Sequence, residues 1–195
     1  MKISLVINCD NRNERSSEEG LFNGTVALDY LTDGIRQKQL FLEGFDFETI
    51  VYIDKHQDIP EDAIKYLQKI ADIVCVRKHT EELRFNDWNY YRALSLATGN
   101  IIIHVDQDTN LYRNDKSYVD ELIGYLDDFK FVCYASHWTP APVHDDSFKN
   151  QWWASTRMFM CYRESLKLNL LYNAIQDPDW IHDKYGKSER RCDWT

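Results

Sequence analysis

Long apolar runs are missing from this 195-residue chain. No stretch approaches the roughly 20 apolar residues that carry a helix across a bilayer, so no transmembrane segment is expected. The N-terminus also lacks the charged, apolar and small-residue succession of a secretory signal. Cysteines at C-x-x-C spacing are absent. The five present, at positions 9, 75, 133, 161 and 192, are odd in number and fall mostly in apolar segments. That pattern suits a reducing compartment, so core thiols in a cytoplasmic protein are expected, and the Asn23-Gly24-Thr25 sequon carries little weight. Basic residues are in deficit, 23 Lys and Arg against 32 Asp and Glu, for a formal net charge of −9. Nucleic-acid affinity comes mainly from basic side chains that release counterions, so nucleic acid is not an expected partner. Internal repeats, low-complexity tracts and linkers are absent too. One domain over residues 1–195 is expected, with 44% hydrophobic residues to build its core.

What the chain does contain is a succession of strand and helix signals. Apolar runs Ile3 to Ile7, Thr49 to Ile53, Ile73 to Val76, Ile101 to Val105 and Phe131 to Ala135 read as strands, and Met158 to Tyr162 as a later one. Helical spacing occupies Val26 to Leu42, with Asp33-Gly34 a candidate break, then a helix opened by Pro60, then Asn86 to Ala97, Tyr118 to Leu126 and Glu164 to Ala174. Alternating strands and helices imply right-handed crossovers, hence an α/β fold with a mostly parallel central sheet and helices on both faces.

The strongest chemical signal is Asp106-Gln107-Asp108, which follows the branched run Ile101-Ile102-Ile103-His104-Val105. Such a run reads as a strand buried on both faces, and the C-terminal ends of strands are where open α/β sheets bind ligands. Residues two apart on an extended segment point the same way, so the two carboxylates can face one cation. Two unit charges about 4 Å apart interact by roughly 4 kcal/mol at an effective dielectric near 20, so an acidic site needs a divalent ion before it can take a phosphorylated ligand. Mg²⁺ and Mn²⁺ share one or two carboxylates with phosphate oxygens in this way.

Four landmarks in this order make the chain resemble nucleotide-sugar-dependent glycosyltransferases of the GT-A fold, family 2 above all. They are Ile3-Ser4-Leu5-Val6-Ile7, Thr49-Ile50-Val51-Tyr52-Ile53-Asp54, Ala97-Thr98-Gly99-Asn100 before the strand to Asp106-Gln107-Asp108, and Met158-Phe159-Met160-Cys161-Tyr162-Arg163. The resemblance implies a single GT-A (Rossmann-like) domain with a nucleotide-binding part over about 1–110 and an acceptor and catalytic part over about 111–195. It implies Mn²⁺ or Mg²⁺ on Asp108, with Asp106 on the metal or the donor ribose. Asn8, Asp10 and Asp54 would border the nucleoside, and Arg84 would contact the base or the diphosphate. Asp193, in Ser188-Glu189-Arg190-Arg191-Cys192-Asp193-Trp194, is the first choice of general base, ahead of Asp177, Asp179 and Glu189. The implied reaction is hexosyl transfer from a nucleoside-diphosphate sugar, UDP-sugar favoured, to a hydroxyl of a glycan, protein glycan or lipid-linked sugar, with inversion favoured through that base. Tyr90-Tyr91-Arg92-Ala93 stands where many relatives have R-N-x-G, and Asn8-Cys9-Asp10-Asn11 where many have P-x-Y-N. The chain stops two residues after Asp193, so further domains of a longer, viral or bacterial protein are expected.

Other readings of these residues stand beside that one. Asp106 and Asp108 could form a solvated turn, Asp54 could cap a loop, Arg84 could pair with Glu81 or Glu82, and Asn8 and Asp10 could satisfy loop amides. His137, His144 and His182 read as ordinary histidines before ligands, and Trp138, Trp152 and Trp153 suit a core as well as a sugar. A haloacid-dehalogenase-type phosphohydrolase is the alternative enzyme. Its D-x-D-x-[TV] motif would place Asn110 at the fifth position here, with Asp145-Asp146 as the later acids. A non-catalytic nucleotide-sugar-binding module would keep the Asp pair and lack a working base.

Overall fold

The computed structural model describes residues 1–10, 25–55, 61–78, 92–107, 109–113, 115–133 and 158–166. Among them, six strands form one sheet: β1 (Lys2–Asp10), β2 (Asp46–Lys55), β3 (Ile73–Lys78), β4 (Ile101–Asp106), β5 (Val132–Cys133) and β6 (Met158–Tyr162), in the order β3-β2-β1-β4-β6-β5. Neighbours from β3 through β4 are parallel, and β6 runs antiparallel between β4 and β5. This is the expected mixed α/β sheet, mostly parallel.

The pleat sorts the core into two layers. Ile3, Leu5 and Ile7 of β1, with Ile101, Ile103 and Val105 of β4, meet Ile35 and Phe41 of α1 (Thr25–Phe41), Leu67 of α2 (Glu61–Leu67) and Val119 of α4 (Ser117–Gly124). The alternate residues Val6, Ile50, Tyr52 and Ile102 pack on the other side with Ala93 and Leu94 of α3 (residues 92–95). Ile101 through Val105 are buried without exception, as a strand covered on both faces requires.

Several boundaries differ from expectation. β1 continues through the polar residues Asn8 and Asp10, because its backbone stays paired: Asn8 lies opposite Tyr52 of β2 and Asp106 of β4, and Asp10 opposite Asp54 of β2. α1 runs unbroken through Asp33-Gly34. The stripe Thr32, Ile35, Lys38 and Phe41, at i, i+3 spacing, is buried against the sheet and outweighs the helix cost of one glycine. The expected helix from Glu164 is instead a 3₁₀ turn over Arg163–Ser165, followed by Leu166 in extended conformation, with residues 167–174 outside the described set. The cysteines are not uniformly core thiols: Cys9 and Cys161 are buried, Cys75 is half-buried, and Cys133 is exposed because β5 is an edge strand.

A polar cluster ties the N-terminal ends of the strands together. Glu48 accepts from Lys2 Nζ at 2.5 Å, Ser4 Oγ at 2.5 Å, and the Thr98 amide and hydroxyl at 2.7 Å each. Gly99 donates its N–H to Ser4 Oγ at 2.7 Å, and Asn100 donates its N–H to the Lys2 carbonyl at 2.8 Å. A Cβ on Gly99 would stand 2.7 Å from the Ser4 nitrogen, so only glycine lets this turn approach β1. The Ala97-Thr98-Gly99-Asn100 landmark is therefore a structural joint, at the opposite end of the sheet from Asp106.

Candidate functional site

The chain order reverses beside β1: β2 and β3 lie on one side, β4 on the other. In an open α/β sheet that reversal leaves a crevice beyond the carboxyl ends of the two strands that flank it, here β1 and β4. Their last facing pair is Asn8 and Asp106. Gln107 extends the ladder by one bond, donating its N–H to the Asn8 carbonyl at 3.0 Å. Strand alternation ends there. The Thr109 N–H donates to the Asp106 carbonyl at 3.1 Å, so the backbone turns directly after Asp106. Asp108, expected to share an orientation with Asp106, lies outside the described residues.

Asn8 and Asp106 follow Val6 and His104 at a spacing of two, so they project from the face that carries Tyr52 and α3. Both are half-buried. The Oδ1 atom of Asn8 is buried and has no hydrogen-bond partner among the described residues, so it is an acceptor available to a donor or a cation beside Asp106. Below them, the His104 ring stacks on Phe159 at 5.0 Å between centroids, within the core. Backbone pairing places Asp10 beside Asp54 on adjacent strands, and the description of these two acids goes no further than the backbone. The structure thus brings Asn8, Asp10, Asp54 and Asp106 to one end of one sheet. Arg84, Asp193, Asp177, Asp179, Glu189 and the three flagged histidines lie outside the described residues.

The side of the turn facing α1 is held by that helix. Lys38 is fully buried, and its Nζ donates to the Gln107 carbonyl at 3.0 Å and to the Gly34 carbonyl at 3.4 Å. Next to it, Gln37 brackets Leu111, accepting the Leu111 N–H at 3.2 Å and donating to the Leu111 carbonyl. Sequence analysis missed both residues. The available signal was a lysine on the buried stripe, three residues from Ile35 and three from Phe41.

The donor set suits a hard cation. Asp106 and Asn8 offer oxygen only, as Mg²⁺ and Mn²⁺ prefer. Among the described residues no group of three or more His, Cys, Asp or Glu could hold a metal alone. An ion shared with phosphate oxygens needs no such cluster, since one or two carboxylates suffice.

The fold recurs in solved structures. A mannosyltransferase from Pyrobaculum calidifontis, in complex with GDP-Man and Mn²⁺, matches with a TM-score of 0.51 at 13% identity, over 83% of this chain and 44% of that one. The fold is GT-A-like. A second match is a Desulfovibrio desulfuricans protein described as a "putative nucleotide-diphospho-sugar transferase", with a TM-score of 0.50 at 8% identity, over 87% of this chain and 67% of that one. The chain spans less than half of the mannosyltransferase's length. No family model and no curated protein matches the sequence. At these identities the likeness is one of GT-A architecture. No helix among the described residues is long and apolar enough to cross a membrane.

Proposed function

We propose that this chain is the donor-binding and catalytic domain of a glycosyltransferase that moves a sugar from a nucleoside-diphosphate sugar to a hydroxyl acceptor. The observation that carries the proposal is the facing pair Asn8 and Asp106 at the reversal of strand order, directly ahead of Gln107-Asp108. UDP-sugars are the favoured donors, and the acceptor is a glycan, protein glycan or lipid-linked sugar. Residues 1–195 act as one domain, with the donor side in about 1–110 and the acceptor side in about 111–195.

Asp106 and Asp108 would hold Mn²⁺ or Mg²⁺, and the ion would supply positive charge to the leaving diphosphate. Asn8, Asp10 and Asp54 bind the nucleoside, with Asn8 Oδ1 a ready acceptor for a ribose or base donor. Arg84 contacts the base or the diphosphate. Asp193 takes the proton from the acceptor hydroxyl as it attacks the anomeric carbon; attack from the face opposite the diphosphate inverts that centre.

Calorimetric titration with UDP-, GDP- and dTDP-sugars, with and without Mn²⁺, tests the proposal. At least one donor is expected to bind only with metal, and Asp108→Ala to abolish that binding. Asp193→Ala should keep donor binding and lose transfer. Equal affinity in manganese and in chelator would rule out the metal-bridged site.

A further inference from the structure

The buried amine of Lys38 has no role in the chemistry above, yet it is an uncommon thing to place under a sheet end. A leucine or methionine would fill that position on α1 with similar helix propensity and without burying a group that needs hydrogen bonds. Of its bonds to the carbonyls of Gly34 and Gln107, the shorter, at 3.0 Å, goes to Gln107, the middle residue of the acid triplet. Gln107 is thereby fixed on both sides, its N–H to β1 through the Asn8 carbonyl and its C=O to α1 through Lys38. Thr109 and Leu111 are tied down as well, by the Thr109 to Asp106 bond and by Gln37 on Leu111.

We propose that Lys38 is a positioning residue: it clamps the Gln107 carbonyl and so presets the backbone at Asp106 and Gln107 to receive a divalent cation. The consequence for metal binding rests on the proposed donor site; the clamp itself does not. A preset turn binds better because the cation need not order the backbone on arrival. A Cβ on Gly34 would lie 3.7 Å from Lys38 Nζ and 3.9 Å from Gln107 O, ordinary contact distances, so the clamp does not depend on glycine there.

The test uses the full chain with Lys38→Met and two readouts: hydrogen exchange of the Gln107 and Thr109 amides against Leu5 in mid-β1, and Mn²⁺ affinity by electron paramagnetic resonance. Exchange at Gln107 and Thr109 should rise by roughly tenfold or more, Leu5 should keep its protection, and Mn²⁺ should bind about tenfold more weakly. If the variant folds with exchange at the turn unchanged, or binds Mn²⁺ as tightly as the wild type, the proposal is overturned. Loss of protection spread equally over Leu5 also overturns it, since that marks a purely structural lysine. If the wild type itself binds no Mn²⁺ while the turn is selectively loosened by Lys38→Met, the donor-site proposal fails and the clamp is upheld. Should Lys38→Met not fold, Lys38→Gln, which keeps a donor on a shorter neutral side chain, gives the same readouts.

Discussion

Glu48 shows how far one side chain can be moved by its partners. Burial pushes its carboxyl up, but the hydrogen bonds from Lys2, Ser4 and Thr98 together outweigh burial and hold it at about 2, from an ordinary 4.5. A carboxyl whose folded value lies below its unfolded value stabilises the protein fully above the unfolded value and loses that contribution as pH falls through 4.5 towards 2. The stabilisation is on the order of 3 kcal/mol at neutral pH. Glu48→Gln should therefore lower the urea-unfolding free energy at pH 7 by about 2–3 kcal/mol, with the gap from wild type narrowing below about pH 4. A gap independent of pH would mean that packing, not charge, sets the effect. Gly99 makes the complementary point about space. Gly99→Ala drives a Cβ against backbone 2.7 Å away, and a loss of about 2 kcal/mol or more is expected in the same assay.

Among the elements, β4 was the easiest to read and α1 the hardest. Five consecutive buried branched or apolar-packed residues have no reasonable place but a central strand, so the position of Asp106 followed from the sequence pattern. The turn after it did not, because the Thr109 to Asp106 bond is a backbone event that side-chain identities do not announce. In α1 the stripe through Lys38 was read as apolar spacing alone, since a lysine ordinarily marks the wet side of a helix. Only the sheet beneath shows that its amine reaches Gln107. The length of β1 was underestimated for a related reason: polar residues such as Asn8 and Asp10 end a hydrophobic run but not a ladder that still pairs them with β2. Gly34→Ala tests the packing of α1, because the added methyl meets only ordinary contacts and removes the entropy cost of glycine in a helix. Thermal unfolding should show a gain of about 0.5–1 kcal/mol; a loss would mean that the Gln107 carbonyl needs more room than the backbone geometry suggests.

Across the molecule, the stabilising cluster and the proposed site occupy opposite ends of one sheet. The Glu48 cluster and the Gly99 joint fasten the N-terminal strand ends, while Asn8 and Asp106 face each other at the C-terminal ends. An open recess of about 730 Å³ also exists, lined by Thr98, Gly99, Asn100, Tyr162 and Arg163, but it lies at the fastened end and gathers no acid pair. With a formal net charge of −9, an anionic donor is repelled unless a cation accompanies it, and the account places that cation beyond β1 and β4. The most direct measurement is paramagnetic broadening of amide resonances by Mn²⁺ in the presence of the donor selected by titration. Asn8, Asp106 and Gln107 should broaden first, while Thr98, Gly99 and Asn100 stay sharp. Broadening centred on Thr98 to Asn100, or on the surface acids Asp127 and Asp128, with Asn8 and Asp106 unaffected, would contradict the account.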